Sequence, residues 1–243
     1  MPLPKEKSLE LMGKPSMRRP RLTKHISYYE LIDALRNADR CPLCDIEENS
    51  VKRYFESLLH ENVNDPGVRD ALATSHGYCP RHAHYLRNHG NGLGIAILYQ
   101  DQIALFLQSL EGSEAIASKV ARKGASFWHR SESCPACRVQ NECRSHYCNT
   151  LVRWLQDEEM RSALNGSSGF CVPHFLKLLD MPMDADTRAI LIEKERAHMS
   201  LLLGELREFQ RKHDYRFRDE GFGSESNSWS RVIKMMVGEE GLF

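Results

Sequence analysis

An excess of charge of either sign is missing from this chain of 243 residues, in which 33 Lys and Arg stand against 33 Asp and Glu. That balance removes any strong overall pull toward nucleic acid or an anionic membrane. Long apolar runs are missing as well. Ile95 to Tyr99 and Ile103 to Leu107 are far too short to span a bilayer, and the first residues hold no apolar segment of signal-peptide type. The expectation is a cytoplasmic protein with no membrane partner. No stretch alternates apolar and polar residues for long enough to build a sheet. A phosphate-binding loop is absent too: the glycine-rich run Asn88 to Gly94 has no strand before it and no Gly-Lys-Ser/Thr after it, so it is expected to be a helix–helix turn with left-handed glycines. What the chain does have, 41% apolar residues, suffices for a sizeable core in one large domain or two intimately packed halves.

Eight cysteines are present, and most fall into Cys-x-x-Cys and Cys-x-x-His units. This is the grouping of metal ligands in a reducing compartment rather than of a disulfide framework. Cys41-Pro42-Leu43-Cys44 recurs 93 residues later as Cys134-Pro135-Ala136-Cys137. Gly77-Tyr78-Cys79-Pro80-Arg81-His82 recurs 92 residues later as Gly169-Phe170-Cys171-Val172-Pro173-His174. Two copies that keep their internal spacing to within one residue mark an internal repeat. Read as self-contained, the first copy assembles one site from Cys41, Cys44, Cys79 and His82, and the second an equivalent site from Cys134, Cys137, Cys171 and His174.

Each Cys-Pro-x-Cys turn lets two sulfurs converge on one ion, and a Cys-x-x-His at a helix start puts both side chains on one face. Three thiolates and an imidazole suit zinc, two ions per chain; an iron–sulfur cluster, which usually takes four cysteines, is the alternative occupant. With all four positions filled by protein no site stays open for substrate, so the expected role is structural. Other histidines lack a counterpart in the second copy: His60, His76, His84 and His89 align with Arg153, Ser168, Leu176 and Met181, and none is expected as a ligand. Cys148 aligns with Phe55 and reads as a small buried hydrophobe. Cys143 aligns with Ser50, off the apolar stripe, and His146 lies three residues on, which leaves redox or extra metal chemistry open.

Between the ligands the apolar spacing is helical. Val51, Tyr54, Phe55, Leu58 and Leu59 form one stripe, and Tyr147, Leu151, Trp154 and Leu155 form its counterpart. Asp65-Pro66 predicts a helix start, as does Asp184 before a long helix over 185–212 with Met199, Leu202, Leu203, Leu206 and Phe209 on one side. The pattern predicts an all-α fold of two pseudo-repeated helical halves, each organised around a Cys3His metal site, with a C-terminal helix carrying Trp229, Val232, Ile233, Met236 and Val237 docked on the body. The expected divisions are a flexible basic tail over 1–25, metal-binding repeats over 26–120 and 121–215, and a polar linker and terminal helix over 216–243.

The motifs Cys41-Pro-x-Cys44, Val63-Asn-Asp-Pro-Gly-Val68, Gly77-Tyr-Cys-x-x-His82, Gly92-Leu-Gly-Ile-Ala-Ile97, Cys134-Pro-x-Cys137 and Gly169-Phe-Cys-x-x-His174 together resemble the bacterial family catalogued as domain of unknown function 6062, over about residues 30 to 240. The resemblance implies a cytoplasmic bacterial protein with paired cysteine-rich motifs and no established activity to carry over. The basic tail and the pair Cys143 and Cys148 are not features of that pattern.

No catalytic constellation stands out, so the leading expectation is a non-enzymatic interaction or regulatory module with a protein partner. Two alternatives stay open: an iron–sulfur or thiol-based redox protein involving Cys143 and Cys148, and a nucleic-acid binder using the basic tail. Zero net charge and the wide gap between ligand pairs, unlike that of a groove-reading finger, weigh against the last.

Overall fold

The structure is a computed structural model that describes residues 23–110, 134–217 and 219–243. Residues 1–22 of the expected tail, and 111–133 at the junction of the repeats, lie outside the described residues. Ten α-helices and no strand occur among those that are described. They are α1 (Ile26–Asn37), α2 (Pro42–Ser57), α3 (Pro66–Ser75), α4 (Pro80–Arg87), α5 (Gly92–Leu110), α6 (Pro135–Trp154), α7 (Glu158–Gly166), α8 (Val172–Leu179), α9 (Ala185–Lys212) and α10 (Ser228–Val237). A π-helical turn, Leu58–Asn62, extends α2, and short 3-10 turns at Tyr215–Phe217 and Ser224–Asn227 connect α9 to α10.

The run α2 to α5 is repeated as α6 to α9, and the same local devices build both. Pro42 and Pro135 occupy the first turns of α2 and α6, where a missing N–H leaves no hydrogen bond unmade. Asp65 and Asp157 cap α3 and α7, their carboxylates accepting from the amides of Val68 and Met160 at 2.9 and 3.4 Å. Just before each Cys-x-x-His, Gly77 (φ +91°) and Gly169 (φ +72°) turn the chain through the left-handed region, which a side chain would strain. The glycine-rich run is a turn between α4 and α5: Gly90 is left-handed, and Asn91 caps the new helix by accepting from the amide of Gly94 at 2.9 Å.

The two equivalent helices α2 and α6 pack against each other in opposite directions. Leu43 and Ile46 from the start of α2 meet Tyr147, Cys148 and Leu151 from late in α6, while Cys134, Ala136 and Cys137 at the start of α6 meet Val51 and Phe55 late in α2. Two apolar cores result, one at each end of this helix pair. The first adds Tyr28, Leu31, Ile32 and Leu35 of α1, together with Met160, Leu164, Phe170, Leu178 and Leu191. The second adds Leu58, Leu59, Leu72, Tyr78, Leu86 and Leu98. A fully buried leucine contributes about 2 kcal/mol through apolar surface removed from water, so each core is a substantial source of stability. Lys24, placed in the tail by sequence, is held against α1 and α7 by Tyr28 Oη at 2.8 Å and by the carboxylates of Asp157 and Glu159.

Two apolar stripes are less covered than their spacing predicts. On α9 the inward face is Thr187, Leu191, Glu195 and Leu202, whereas Leu203 faces outward. On α10 the docked residue is Met235, while Trp229, Ile233, Met236 and Val237 of the predicted docking face are exposed. Amphipathic spacing identifies an apolar face but not whether the body of the protein covers it. No helix among the described residues is long and apolar enough to cross a membrane.

Candidate metal centres

Antiparallel packing puts the Cys-Pro-x-Cys turns of α2 and α6 at opposite ends of the helix pair. Each Cys-x-x-His, at the start of α4 or α8, meets the Cys-Pro-x-Cys turn of the other copy. The sets are therefore Cys41, Cys44, Cys171 and His174, and Cys79, His82, Cys134 and Cys137, with the four ligand atoms of each within 4.8 Å of one another. All eight residues singled out in the sequence are brought into these two sets, but the pairing within each copy is corrected: Cys41 and Cys44 do not meet Cys79 and His82. Both arrangements use the same residue types, and long-range packing rather than spacing chooses between them.

The two sets share a geometry. In the first, His174 Nδ1 lies 3.4 Å from Cys41 Sγ, 3.4 Å from Cys44 Sγ and 3.2 Å from Cys171 Sγ, with Cys44 and Cys171 sulfurs 3.6 Å apart. In the second, His82 Nδ1 lies 3.3 Å from Cys79 Sγ, 3.6 Å from Cys134 Sγ and 3.3 Å from Cys137 Sγ, and Cys79 and Cys137 sulfurs are again 3.6 Å apart. All eight cysteines are free thiols, with no disulfide among them.

Protonation shows what such a set lacks by itself. Burial opposes ionisation of Cys41, yet the adjoining Cys171 and Cys44 and the His174 ring hold it well below the usual thiol range. Cys171 and Cys41 push Cys44 far up in return. Burial disfavours the charged form of His174, but contacts with Cys171, Cys41 and Glu47 raise it to about 12. In the second set Cys134 and Cys137 lower Cys79, while Cys134 and Cys79 raise Cys137. His82 is raised despite burial by the sulfurs of Cys134 and Cys79. A divalent ion needs deprotonated sulfurs and supplies the positive charge that stabilises them together. Both sets can hold a metal ion.

Sequence reasoning passed over the polar residues behind the ligands. Glu47, buried on α2, accepts from His174 Nε2 at 2.6 Å, from Arg144 Nε at 2.7 Å and from Gln140 Nε2 at 2.8 Å. Burial works against its charge, and His174 and Arg144 nevertheless lower its carboxyl. Its counterpart 93 residues on is Gln140, whose Oε1 accepts from Arg81 at 2.9 Å; Arg81 also approaches Cys137 Sγ at 3.8 Å. A second pair at the same offset, Gln102 and Glu195, lies against the turns at Gly77 and Gly169. Buried polar residues repeated in register were the signal that could have found them.

Cys143 and Cys148 join neither set. Burial pushes Cys148 up to about 11 and raises Cys143, whose sulfur points at the carbonyl of Ile46 at 3.9 Å. Both are weak nucleophiles at neutral pH. His60, His76, His84 and His89 are likewise outside both sets.

Among known proteins, the chain is 22% identical over 204 residues to an uncharacterized 23.9 kDa protein in the xynA 3′ region of Caldicellulosiruptor sp. (strain Rt8B.4), covering 83% of this chain and 97% of that protein. No solved structure matches. The model of one family matches residues 22–241, a span that contains both ligand sets, and the chain belongs to this family of unknown function, DUF6062.

Proposed function

We propose that the protein is a zinc-stabilised helical interaction module, with one structural zinc ion in each Cys3His set. The carrying observation is the ligand spacing. Zinc with Zn–S near 2.3 Å and Zn–N near 2.0–2.1 Å in a tetrahedron places sulfurs about 3.8 Å apart and sulfur and nitrogen about 3.6 Å apart. The sulfur–sulfur contacts of 3.6 Å and sulfur–nitrogen contacts of 3.2–3.6 Å fit that figure. An iron–sulfur cluster spreads its ligands over several irons, and four donors within 4.8 Å suit a single ion instead.

The chain's own residues prepare these cages. His174 turns Nδ1 to the sulfurs and Nε2 to Glu47, so the carboxylate fixes both the ring's tautomer and its orientation. Arg144 and Gln140 in turn keep Glu47 in place. Zinc in such a cage supplies folding energy, with apparent values of about 10–16 kcal/mol, rather than a reactive open position. The exposed stripe Trp229, Ile233, Met236 and Val237 on α10 supports an interaction role, with a protein as the partner.

Elemental analysis of the purified protein tests the metal reading: zinc near two per chain is expected, and iron with inorganic sulfide overturns it. The partner reading is tested with Ile233→Glu, which is expected to abolish association while leaving zinc content and helicity unchanged.

A further inference from the structure

The two cages differ in what closes them. All four residues of the Cys79, His82, Cys134 and Cys137 set are buried, whereas Cys41 in the other set is half-buried. Cys41, Cys44 and Cys171 line a cavity of about 610 Å³, and no ligand of the second set lines it. Asp39, His198 and Glu239 also face this space. Glu239 keeps one buried carboxylate oxygen without a partner, a donor suited to a passing cation.

The segment Gly238–Phe243, immediately after α10, covers the same sulfurs. Gly238 (φ +84°) and Gly241 (φ +82°) fold the chain back in left-handed turns. Leu242 packs on Cys41, Cys44 and Cys171, and its carbonyl accepts from Gln140 Nε2 at 2.8 Å. The Phe243 ring meets His174 edge-on at 5.0 Å and lies under the Arg144 guanidinium at 4.8 Å. Glu239 reaches Lys234 at 3.1 Å and Arg40 at 3.8 Å. The cover therefore rests on one buried leucine, one hydrogen bond, a half-exposed ring and a pair of ion contacts. Short segments with so few buried contacts open at much lower free energy than packed helices. In the second set, among the described residues, Cys134 and Cys137 sit in the core with Phe55, Tyr78 and Leu98.

We propose that Cys41, Cys44, Cys171 and His174 form an exchangeable metal site, loaded and unloaded through the cavity as Gly238–Phe243 loosens its hold on the sulfurs, and that the other set exchanges its ion much more slowly. The cavity has room for a small chelating carrier of a divalent ion beside the half-buried Cys41. This inference rests on the reading of both sets as zinc cages.

The test begins with zinc content, because fewer than two ions per chain overturns that underlying reading before any exchange is followed. The two-zinc protein is then challenged with excess 4-(2-pyridylazo)resorcinol, and N-ethylmaleimide labels each sulfur as it is released. Wild type is expected to lose one ion per chain in a fast phase that exposes Cys41, Cys44 and Cys171, and one in a slow phase that exposes Cys79, Cys134 and Cys137. The double variant Leu242→Ala, Phe243→Ala speeds the fast phase about tenfold or more by weakening the cover. Ser230→Trp, which fills the cavity from α10 without touching a ligand, slows it about tenfold by obstructing the path. Neither variant changes the slow phase. A single phase, a fast phase that labels the Cys79 set, or variants that shift both phases alike would overturn the proposal. Ser230→Trp decides the question by itself should the double variant fold poorly.

Discussion

Alanine at both Cys41 and His174 strips two donors from one cage and leaves the other cage with all four. These residues are 133 positions apart in the chain, yet Sγ and Nδ1 are 3.4 Å apart. Alanine at Cys41 and His82, which belong to the same copy of the repeat, instead removes one donor from each cage. Two remaining donors cannot hold an ion against water, and three leave it weakened and open. A structural zinc contributes an apparent 10–16 kcal/mol, about as much as the 5–15 kcal/mol net stability of a domain, so a cage cut to two donors loses its ion and loosens its end of the fold, while one cut to three keeps it more weakly with water in the fourth position. The expected stoichiometries are near one ion per chain for Cys41→Ala, His174→Ala and near two, both weakly held, for Cys41→Ala, His82→Ala. Titration of cobalt into the metal-free variants, followed by d–d absorbance, measures both. Equal stoichiometries, or the reverse order, refute the exchanged pairing and with it the antiparallel packing of α2 and α6 that imposes it.

Glu47→Gln keeps the shape of the side chain but removes the charge that orients His174; zinc affinity at that cage is expected to fall about 10–100-fold in competition titrations, with the other cage unaffected. Burial raises Glu195 from its ordinary 4.5 to about 7, and its Oε2 accepts from the Phe170 amide at 3.1 Å. A raised carboxyl gives stability that is fully present below about pH 4.5 and lost as pH climbs through about 7. Glu195→Gln, which restores the residue found at Gln102, should therefore gain on the parent from pH 5 to pH 8, by up to about 3 kcal/mol in urea midpoints; a pH-independent difference contradicts this. Leu151→Ala leaves a void in the first core, and the expected loss is about 2–5 kcal/mol in thermal or urea unfolding with metal stoichiometry unchanged.

Much of this was legible in the sequence because the signals were local. Asp65 and Asp184 cap helices through their own side chains, as their spacing predicts, whereas the cap Asp157 and the left-handed turns at Gly77 and Gly169 were equally local signals that sequence reasoning missed. The eight cysteines and histidines that gather into the two sets were legible too, since they recur in register. Their partners were not. A duplicated motif looks the same whether its halves close on themselves or on each other, and the deciding contacts, such as those of Glu47 with Gln140 and Arg144, span the whole repeat. The α10 stripe failed for a related reason: helical spacing shows that Trp229 and Ile233 share a face, but only the position of α9 and α8 shows that Met235 faces the body instead. Glu47 and Glu195 break the rule that acidic residues face water: His174 and Arg144 answer Glu47, whereas Glu195 meets one backbone amide and keeps its other oxygen without a partner, which is why burial raises its carboxyl.

The crossing of ligand pairs also makes the two halves of the chain depend on each other. One copy of the repeat alone owns a Cys-Pro-x-Cys and a Cys-x-x-His that point to opposite ends of its first helix, so it cannot complete a tetrahedron from its own side chains. Two identical copies laid head to tail can complete two, each lending the other what it lacks. Neither half of this chain completes a four-donor set alone, and separating them would leave each set two donors short in either half.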